Sequence, residues 1–318
     1  DLDGNESSGS RVIQTALRAA LGRLNGEGFF TGFSLKGFSE FMDSFIEEFN
    51  DYSSKNYKTF QKIVKYDKRF VGNNALGTFL KHSMLGYALK TKMQQYEVPW
   101  YLTLSWSKDL NQYDMDIGFW TSFWIEASGL EIDLFRDGDS TTVTDNTALS
   151  GLDLANIAKA MMLQESIMGN DKGWDEFDDN LNIGLMQVHK AGYDENGNNY
   201  WSMDSTEYAT FANDISKGFK GILMGSSDKY LDSFVNVGIG IGELFAKLTV
   251  CTNYPYSSGR RNAPTYNQWL IAVQAYNGAE SGWNNRGPYA GWIQSIFEKG
   301  LKVVTIWKFT WHIRVFTP

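Results

Sequence analysis

Cysteine and histidine are scarce in this chain of 318 residues, and long apolar runs are missing from it. Cys251 is the only cysteine, so no disulfide can form within the chain. His82, His189 and His312 are the only histidines, and their positions lack the spacing of zinc ligands, so we expect no metal site. No apolar run reaches the roughly 18 residues of a membrane-spanning helix, so we expect no membrane span.

Clusters of positive charge are also scarce. The 29 Lys and Arg residues are outnumbered by 37 Asp and Glu residues, which gives a formal net charge of −8. Arg260-Arg261 is a tight basic pair, but it is not part of a larger cluster. Binding to nucleic acid requires clustered Lys and Arg to neutralise phosphates, so we expect no nucleic-acid partner.

Apolar residues follow helical and strand-like periods in the first half of the chain. Helical spacing predicts amphipathic helices in three segments, at 13–24, 38–49 and 76–87. A period of two predicts strands at 102–106 and 130–134. Segment 119–125 is apolar on both phases, which is typical of a buried strand or a buried helix. The first half is therefore predicted to be helical or α+β, with its aromatic stripes in the core.

A small, polar segment at 137–150 has the composition of a linker. The length of the chain also exceeds that of a usual single domain. We therefore predict an accessory domain at 1–145 and a second domain at 146–318. Apolar spacing after the linker predicts five further helices, at 152–165, 206–224, 234–249, 266–276 and 289–300. The expected fold class is mainly α, and the aromatic tail at 303–316 is expected to form a strand or to pack on the first domain.

Gly238, Gly240 and Gly242 alternate in a way that imitates a nucleotide-binding fingerprint. No strand–turn–helix unit with a downstream acidic residue accompanies them. We interpret these glycines as positions where helices pack closely.

Four segments carry the strongest functional signal. They are Met162-Leu163-Gln164-Glu165-Ser166, Gly184-Leu185-Met186-Gln187-Val188, Asn236-Val237-Gly238 leading into Gly242-Glu243-Leu244, and Val273-Gln274-Ala275-Tyr276-Asn277-Gly278. In this order they resemble the catalytic domain shared by soluble lytic transglycosylases and goose-type lysozymes, which cut the glycan strand of bacterial peptidoglycan. The length between Glu165 and Gln187 is more similar to the goose-type enzymes. The resemblance covers roughly residues 151–302 and implies an α-helical, lysozyme-like domain without a metal or organic cofactor.

The resemblance implies a role for each matching side chain. Glu165 would be the general acid, and its Leu- and Met-rich helix could supply the burial that keeps a carboxyl group protonated. Tyr276 would donate a hydrogen bond to Glu165, and Asn277 would contact the substrate near the cleavage point. Met186 and Gln187 would line the cleft, where a thioether can pack on a sugar ring and an amide can bind N-acetyl or hydroxyl groups. Ser166 would support the acid or contact sugar.

The group that activates water is less well defined by the sequence. Inverting hydrolysis needs a second group to activate water, whereas a transglycosylase uses the substrate's own 6-hydroxyl group. Goose-type enzymes place one Asp in the loop after the acid, and Asp178 fits this position, with Asp175, Glu176 and Asp179 as rivals. They place a second Asp after Gly-Leu-Met-Gln, where this chain has His189, which can serve as a base when neutral. We favour hydrolysis.

The predicted function is lysozyme-like cleavage of the β-1,4 bond between MurNAc and GlcNAc in peptidoglycan. Lytic transglycosylation is the alternative, and a non-catalytic peptidoglycan-binding module is a second one. The first domain could also act as a wall-binding or partner-docking unit. The chain starts at Asp1 without an initiator Met or a signal peptide, so we expect a processed chain that acts in the periplasm or at the cell wall. An antibacterial effector or a phage-type lysin module fits, with a delivery apparatus or an immunity protein as further partners.

Overall fold

The computed structural model describes residues 35–70, 74–92, 111–134, 143–166, 168, 182–189, 215, 217–219, 221–222, 232–251, 261–277 and 286–299. The helices in this part of the chain are α1 (Leu35–Val64), α2 (Asn74–Lys92), α3 (Asp114–Ser128), α4 (Gly151–Ser166), α5 (Ser233–Cys251), α6 (Tyr266–Tyr276) and α7 (Pro288–Lys299). Short strands are β1 (Leu130–Glu131), β2 (Asn182–Ile183), β3 (Val188–His189) and β4 (Arg261–Asn262). A 3-10 turn spans Lys68–Phe70. The prediction of a mainly α fold is confirmed.

The predicted helices at 38–49 and 76–87 lie within α1 and α2, and those at 152–165, 234–249, 266–276 and 289–300 correspond to α4, α5, α6 and α7 within a few residues. Segment 119–125, for which the sequence allowed either a strand or a helix, lies inside α3. Of the helix predicted at 206–224, the described residues 215, 217–219 and 221–222 are helical. The segments predicted at 13–24, 102–106 and 303–316 lie outside the described residues. None of the described helices combines the length and the apolar character that a membrane crossing requires.

The strand predicted at 130–134 is much shorter in the structure. Leu130 and Glu131 pair in parallel with Arg261 and Asn262, and the pairing ends there. Further along, the Asp133 and Leu134 carbonyl groups accept hydrogen bonds from the start of α4, from Gly151 N at 2.8 Å and from Leu152 N at 3.0 Å. The apolar alternation at 130–134 thus reflects burial beside α4.

Helix α3 lies in the centre of the core. Its side chains Phe119, Trp120, Phe123 and Trp124 are at most 1% exposed. Phe119 and Trp120 pack against Phe234 at the start of α5, with ring centroids 5.2 and 4.9 Å apart. Segment 119–125 is apolar on both phases because almost every face of α3 is buried.

Two glycines allow α5 to approach α3 closely. A Cβ atom at Gly238 would lie 2.6 Å from Trp120 Cε2, and one at Gly242 would lie 2.5 Å from Trp124 Cζ2. The indole N–H of Trp124 donates a hydrogen bond to the Gly238 carbonyl at 2.8 Å. The interpretation as sites of close helix packing is confirmed for Gly238 and Gly242, whereas Gly240 approaches Met186.

The two predicted domains share this core. Buried residues from all the helices, from Phe45 in α1 to Ile296 in α7, form one hydrophobic cluster. An ion pair also joins the two halves, because Lys159 Nζ in α4 lies 2.8 Å from Asp114 Oδ1 at the start of α3, and both side chains are at most 2% exposed. The boundary predicted at residue 145 therefore does not coincide with a break in the core of the described residues.

A second buried carboxylate connects α1, α3 and α5. The Tyr52 hydroxyl donates a hydrogen bond to Asp116 Oδ1 at 2.9 Å, and Asp116 is 6% exposed. Burial raises the pKa of Asp116 to about 6, against the opposing effect of hydrogen bonds from Tyr52 and Ser233, and the nearby charge of Asp232 adds to the increase. Asp116 must therefore lose a proton inside the core as the pH rises through about 6.

We expect Asp116→Asn to remove a pH-dependent loss of stability. The folded-state pKa is about 6 and the unfolded value is about 3.9, so the native protein binds the extra proton between these values. The stabilising contribution is complete below pH 4 and is lost as the pH rises through 6. At about 1.4 kcal/mol per pKa unit, the free energy of unfolding of the variant relative to the wild type should increase by about 3 kcal/mol between pH 4 and pH 7.5.

Urea unfolding at the two pH values measures this difference. Asparagine keeps an acceptor oxygen for Tyr52, so the comparison isolates the charge. Asp51→Asn is the matched control, because Asp51 is an exposed carboxylate that pairs with Lys55, and it should show little pH-dependent difference. Equal curves for the wild type and Asp116→Asn at both pH values would contradict the assignment.

Candidate active site

Glu165 lies in the last turn of α4, where a buried helix reaches the protein surface. Leu154, Ala158, Met161 and Met162 of this helix are at most 1% exposed, whereas Glu165 is partly buried. The hydroxyl of Tyr289, near the start of α7, donates a short hydrogen bond to Glu165 Oε1. The carboxyl group is thus fixed at the junction of α4 and α7 with part of its surface accessible.

The surroundings of Glu165 favour its neutral form. Burial raises the pKa of the Glu165 carboxyl above its ordinary value, and the negative charge of Glu243 raises it further. The hydrogen bond from Tyr289 opposes this increase in pKa because it stabilises the carboxylate. A carboxyl group that holds its proton closer to neutral pH can act as a general acid.

Beside Glu165, residues Gly184–Gln187 form the turn between β2 and β3, and we call this segment the anchored turn. Gly184 has φ of 82° and Gln187 has φ of 46°, so both adopt the left-handed region. Glycine adopts it at no steric cost, whereas Gln187 is held there by hydrogen bonds from its backbone N and side-chain Nε2 to the Gly184 carbonyl, at 3.1 and 2.9 Å.

Three other elements hold the anchored turn in place. Ser166 Oγ, at the end of α4, donates to the Leu185 carbonyl at 2.8 Å. Met186 N donates to Asn236 Oδ1 of α5 at 2.8 Å. The Tyr276 hydroxyl, at the end of α6, donates to the Met186 carbonyl at 2.6 Å. The anchored turn is therefore the point where α4, α5 and α6 meet, directly beside the acid.

The structure corrects the predicted role of Tyr276. The hydrogen bond expected from Tyr276 to Glu165 is made by Tyr289 instead, because the Tyr276 hydroxyl donates to the Met186 carbonyl. Tyr276 still lies close enough to Glu165 and Glu243 for their charges to raise its pKa, after the larger effect of burial. Tyr276 therefore fixes the anchored turn, and Tyr289 fixes the acid.

Two of the predicted substrate-binding side chains have other partners. Met186 is fully buried against α5, and a Cβ atom at Gly240 would lie 2.4 Å from Met186 Cβ, so the predicted contact of its thioether with a sugar ring is corrected. The side-chain nitrogen of Gln187 closes the turn. Ser166 is 1% exposed and donates its hydrogen bond to the Leu185 carbonyl of the turn, so the support of the acid and the sugar contact both stay predictions.

The remaining predicted site residues are described only in part. Asn277 is exposed and follows the last residue of α6, beside Tyr276. The backbone of His189 pairs with Asn182 in the β2–β3 hairpin, and its side chain is outside the described part of the structure. Asp178 and its rivals Asp175, Glu176 and Asp179 also lie outside the described residues.

Sequence reasoning missed Tyr289 and Glu243 as site residues. Tyr289 lies on the same apolar stripe as the buried Ile293 and Ile296, and a tyrosine on an inward face needs a buried acceptor for its hydroxyl. Glu243 lies in α5, where its carboxylate is 12% exposed and 4.0 Å from Lys247 Nζ. Two opposite charges one turn apart in a largely apolar helix were the sequence signal that could have indicated a functional role for Glu243.

Within the described part of the chain, no group of His, Cys, Asp and Glu side chains is placed to hold a metal ion. The site instead contains the Glu165 carboxyl group with its hydrogen bond from Tyr289, the nearby carboxylate of Glu243 and the anchored turn. Comparisons with known protein families, with curated proteins and with solved structures found no significant match to this chain.

Proposed function

We propose that this protein cleaves the β-1,4 bond between MurNAc and GlcNAc in peptidoglycan, with Glu165 as the general acid. The observation that supports this most directly is the partly buried Glu165 carboxyl, which is fixed by Tyr289 and whose pKa is raised by burial. Cleavage of a glycosidic bond needs a proton on the leaving oxygen as positive charge develops on the sugar ring. A carboxylic acid that is both fixed and protonated provides this proton.

The contacts between the segments near Glu165 support the same proposal. The segments that resemble lytic transglycosylases and goose-type lysozymes are separated in sequence, yet Ser166, Leu185, Met186, Asn236 and Tyr276 contact one another around the anchored turn. Segments that resemble one catalytic domain would be expected to meet at one site. Their contacts do not depend on the resemblance and are consistent with it.

We propose hydrolysis as the reaction. Glu165 donates its proton to the glycosidic oxygen, the bond from that oxygen to C1 breaks, and water adds to C1 while its proton passes to a base. Asp178 and His189 remain the proposed groups that activate the water. In the alternative reaction, transglycosylation, the 6-hydroxyl group of the substrate adds to C1, its proton passes to the Glu165 carboxylate, and a 1,6-anhydro ring forms.

Mass spectrometry of muropeptides released from purified peptidoglycan tests the proposal. Hydrolysis in water enriched in oxygen-18 is expected to give reducing ends that carry the label. Transglycosylation would give unlabelled 1,6-anhydro ends that are one water lighter, and this result would replace the hydrolase proposal with the alternative. Absence of any released product, with binding to the insoluble wall retained, would contradict both reactions and favour a binding module.

Cleavage of this bond would place the action of the protein in the periplasm or at the cell wall. The proposal also includes a bacteriolytic role as an effector or phage-type module, which a delivery apparatus or an immunity protein would accompany. Lysis of cells that receive the protein in the periplasm, but not of cells that hold it in the cytoplasm, is the expected pattern. Equal toxicity in both compartments would point to a target other than the wall.

A further inference from the structure

One face of α5 is built differently from the rest of the helix. Gly238 and Gly242 face α3, where they pack against Trp120 and Trp124. Asn236, Gly240 and Glu243 are four and three residues apart, so they lie on another face, and Lys247 continues this face one turn later. Along this stripe, Gly240 is followed by two residues of opposite charge, Glu243 and Lys247.

The start of this stripe contacts the anchored turn. Asn236 is fully buried and accepts the hydrogen bond from Met186 N. A Cβ atom at Gly240 would meet Met186 Cβ at 2.4 Å and the Tyr276 hydroxyl at 3.0 Å. Glu243 follows about one turn after Gly240 on the same face of α5.

Glu165 is connected to the anchored turn through α4. Ser166, its neighbour in α4, binds the Leu185 carbonyl, so Glu165 and Glu243 lie on two helices that both contact the anchored turn. The charges of both carboxylates raise the pKa of Tyr276, and the charge of Glu243 raises that of Glu165. The geometry of the stripe and these electrostatic effects agree in placing Glu243 at the site.

The geometry points to Glu243 as a positioning residue that, together with burial, helps to keep Glu165 in its acid form, with Lys247 Nζ 4.0 Å from the Glu243 carboxylate. This inference rests on the proposed function for the use of that proton. Glu243 does not touch the reacting atoms in this role. It acts through its negative charge, which makes ionisation of Glu165 less favourable.

The groups that face Glu165 determine the expected pH dependence. Tyr289 of α7 donates a hydrogen bond that favours the ionised form, and Glu243 of α5 opposes ionisation. Tyr276 of α6 also lies within electrostatic range, and as a phenol with a raised pKa it is neutral near pH 7. The negative charge of Glu243 affects the ionisation of Glu165. A substitution at Glu243 or at Lys247 can therefore change this effect without changing the hydrogen bond from Tyr289 to Glu165.

The test is a pH titration of the Glu165 carboxyl carbon by NMR in the full chain labelled with carbon-13 at Glu side chains. Glu165→Gln identifies the signal by its loss. Glu243→Gln removes one charge at nearly constant shape, and we expect the midpoint of the Glu165 titration to move to lower pH. In a rate profile, the alkaline limb of glycan cleavage should move in the same direction. An unchanged midpoint, or a shift to higher pH, would overturn the inference.

A second variant keeps the test decisive if Glu243→Gln folds poorly. Lys247→Gln leaves the Glu243 charge without its partner, so the Glu165 midpoint is expected to rise. Glu298→Gln is the matched control, because Glu298 is an exposed carboxylate on the helix that carries Tyr289, and it should leave the midpoint unchanged. The NMR titration does not require activity. A shifted midpoint in a protein that releases no muropeptides would retain the role of Glu243 and reject the proposed function.

Discussion

Glu165→Gln is expected to lower the rate of peptidoglycan cleavage by about 100- to 10,000-fold, the usual contribution of a general acid. Glutamine matches glutamate in shape and keeps an oxygen that can accept the hydrogen bond from Tyr289. It cannot donate a proton to the glycosidic oxygen. The change therefore removes the chemical step and preserves the arrangement of α4, α7 and the anchored turn.

The measurement pairs a muropeptide-release assay with a binding assay on insoluble peptidoglycan. Binding by the variant is expected to be retained, since the substitution neither adds bulk nor removes a hydrogen-bond acceptor. Glu48→Gln serves as the control, because Glu48 pairs with Lys90 between α1 and α2, away from the site, and its activity should match the wild type. Cleavage by Glu165→Gln at the rate of the control would contradict the assignment of the acid.

Most helices could be predicted from the sequence because apolar spacing is a local property. Phe45 and Phe49 in α1 and Tyr266 to Tyr276 in α6 follow such spacing, and the structure confirms both helices. In α3 the spacing failed to decide between strand and helix, since a helix buried on nearly all sides has no polar face to reveal its period. The length of the segment did not resolve this either.

The candidate site remains a prediction, and its individual contacts could not be predicted from the sequence. The four segments meet around the anchored turn, but sequence does not tell which tyrosine reaches which acceptor. Tyr276 and Tyr289 both end close to Glu165, and the direction of each hydroxyl depends on how α6 and α7 pack. In the same way, Met186 is buried because Gly240 lets α5 approach it. This burial depends on two residues that are far apart in the sequence, so local spacing does not predict it.

The prediction of a domain boundary at residue 145 relied on composition. Segment 137–150 is small and polar, as linkers are, and Thr144 to Thr147 form a turn. Yet Asp145 pairs with Arg286 at 2.5 Å, and Tyr266 N donates to the Thr147 carbonyl at 2.8 Å. These contacts hold the segment against α6 and α7. A polar connection can therefore lie on the surface of a single core, and only the packing of the flanking helices reveals it.

A chain limited to residues 146–318 is expected not to fold. It would lack α3, whose buried side chains Phe119, Trp120, Phe123 and Trp124 cover α4 and α5. Each large aromatic side chain buries about 200 Å², so four of them contribute on the order of 20 kcal/mol at about 25 cal/mol per Å². In the shorter chain, the faces of α4 and α5 that pack against these side chains would instead be exposed to water. Lys159 would also lose its buried ion pair with Asp114.

Near-ultraviolet circular dichroism and urea unfolding measure the outcome, since the buried tryptophans report tertiary packing directly. The matched control is the full chain with a protease site at 137–142, nicked after folding, which has the same break and keeps α1 to α3. We expect the nicked protein to retain the signal and a cooperative transition, because the core contacts of α3 do not depend on the covalent connection. A native spectrum and cooperative unfolding for 146–318 alone would show instead that the second half is an independent domain. In that case, α3 would only cover a site that is complete without it.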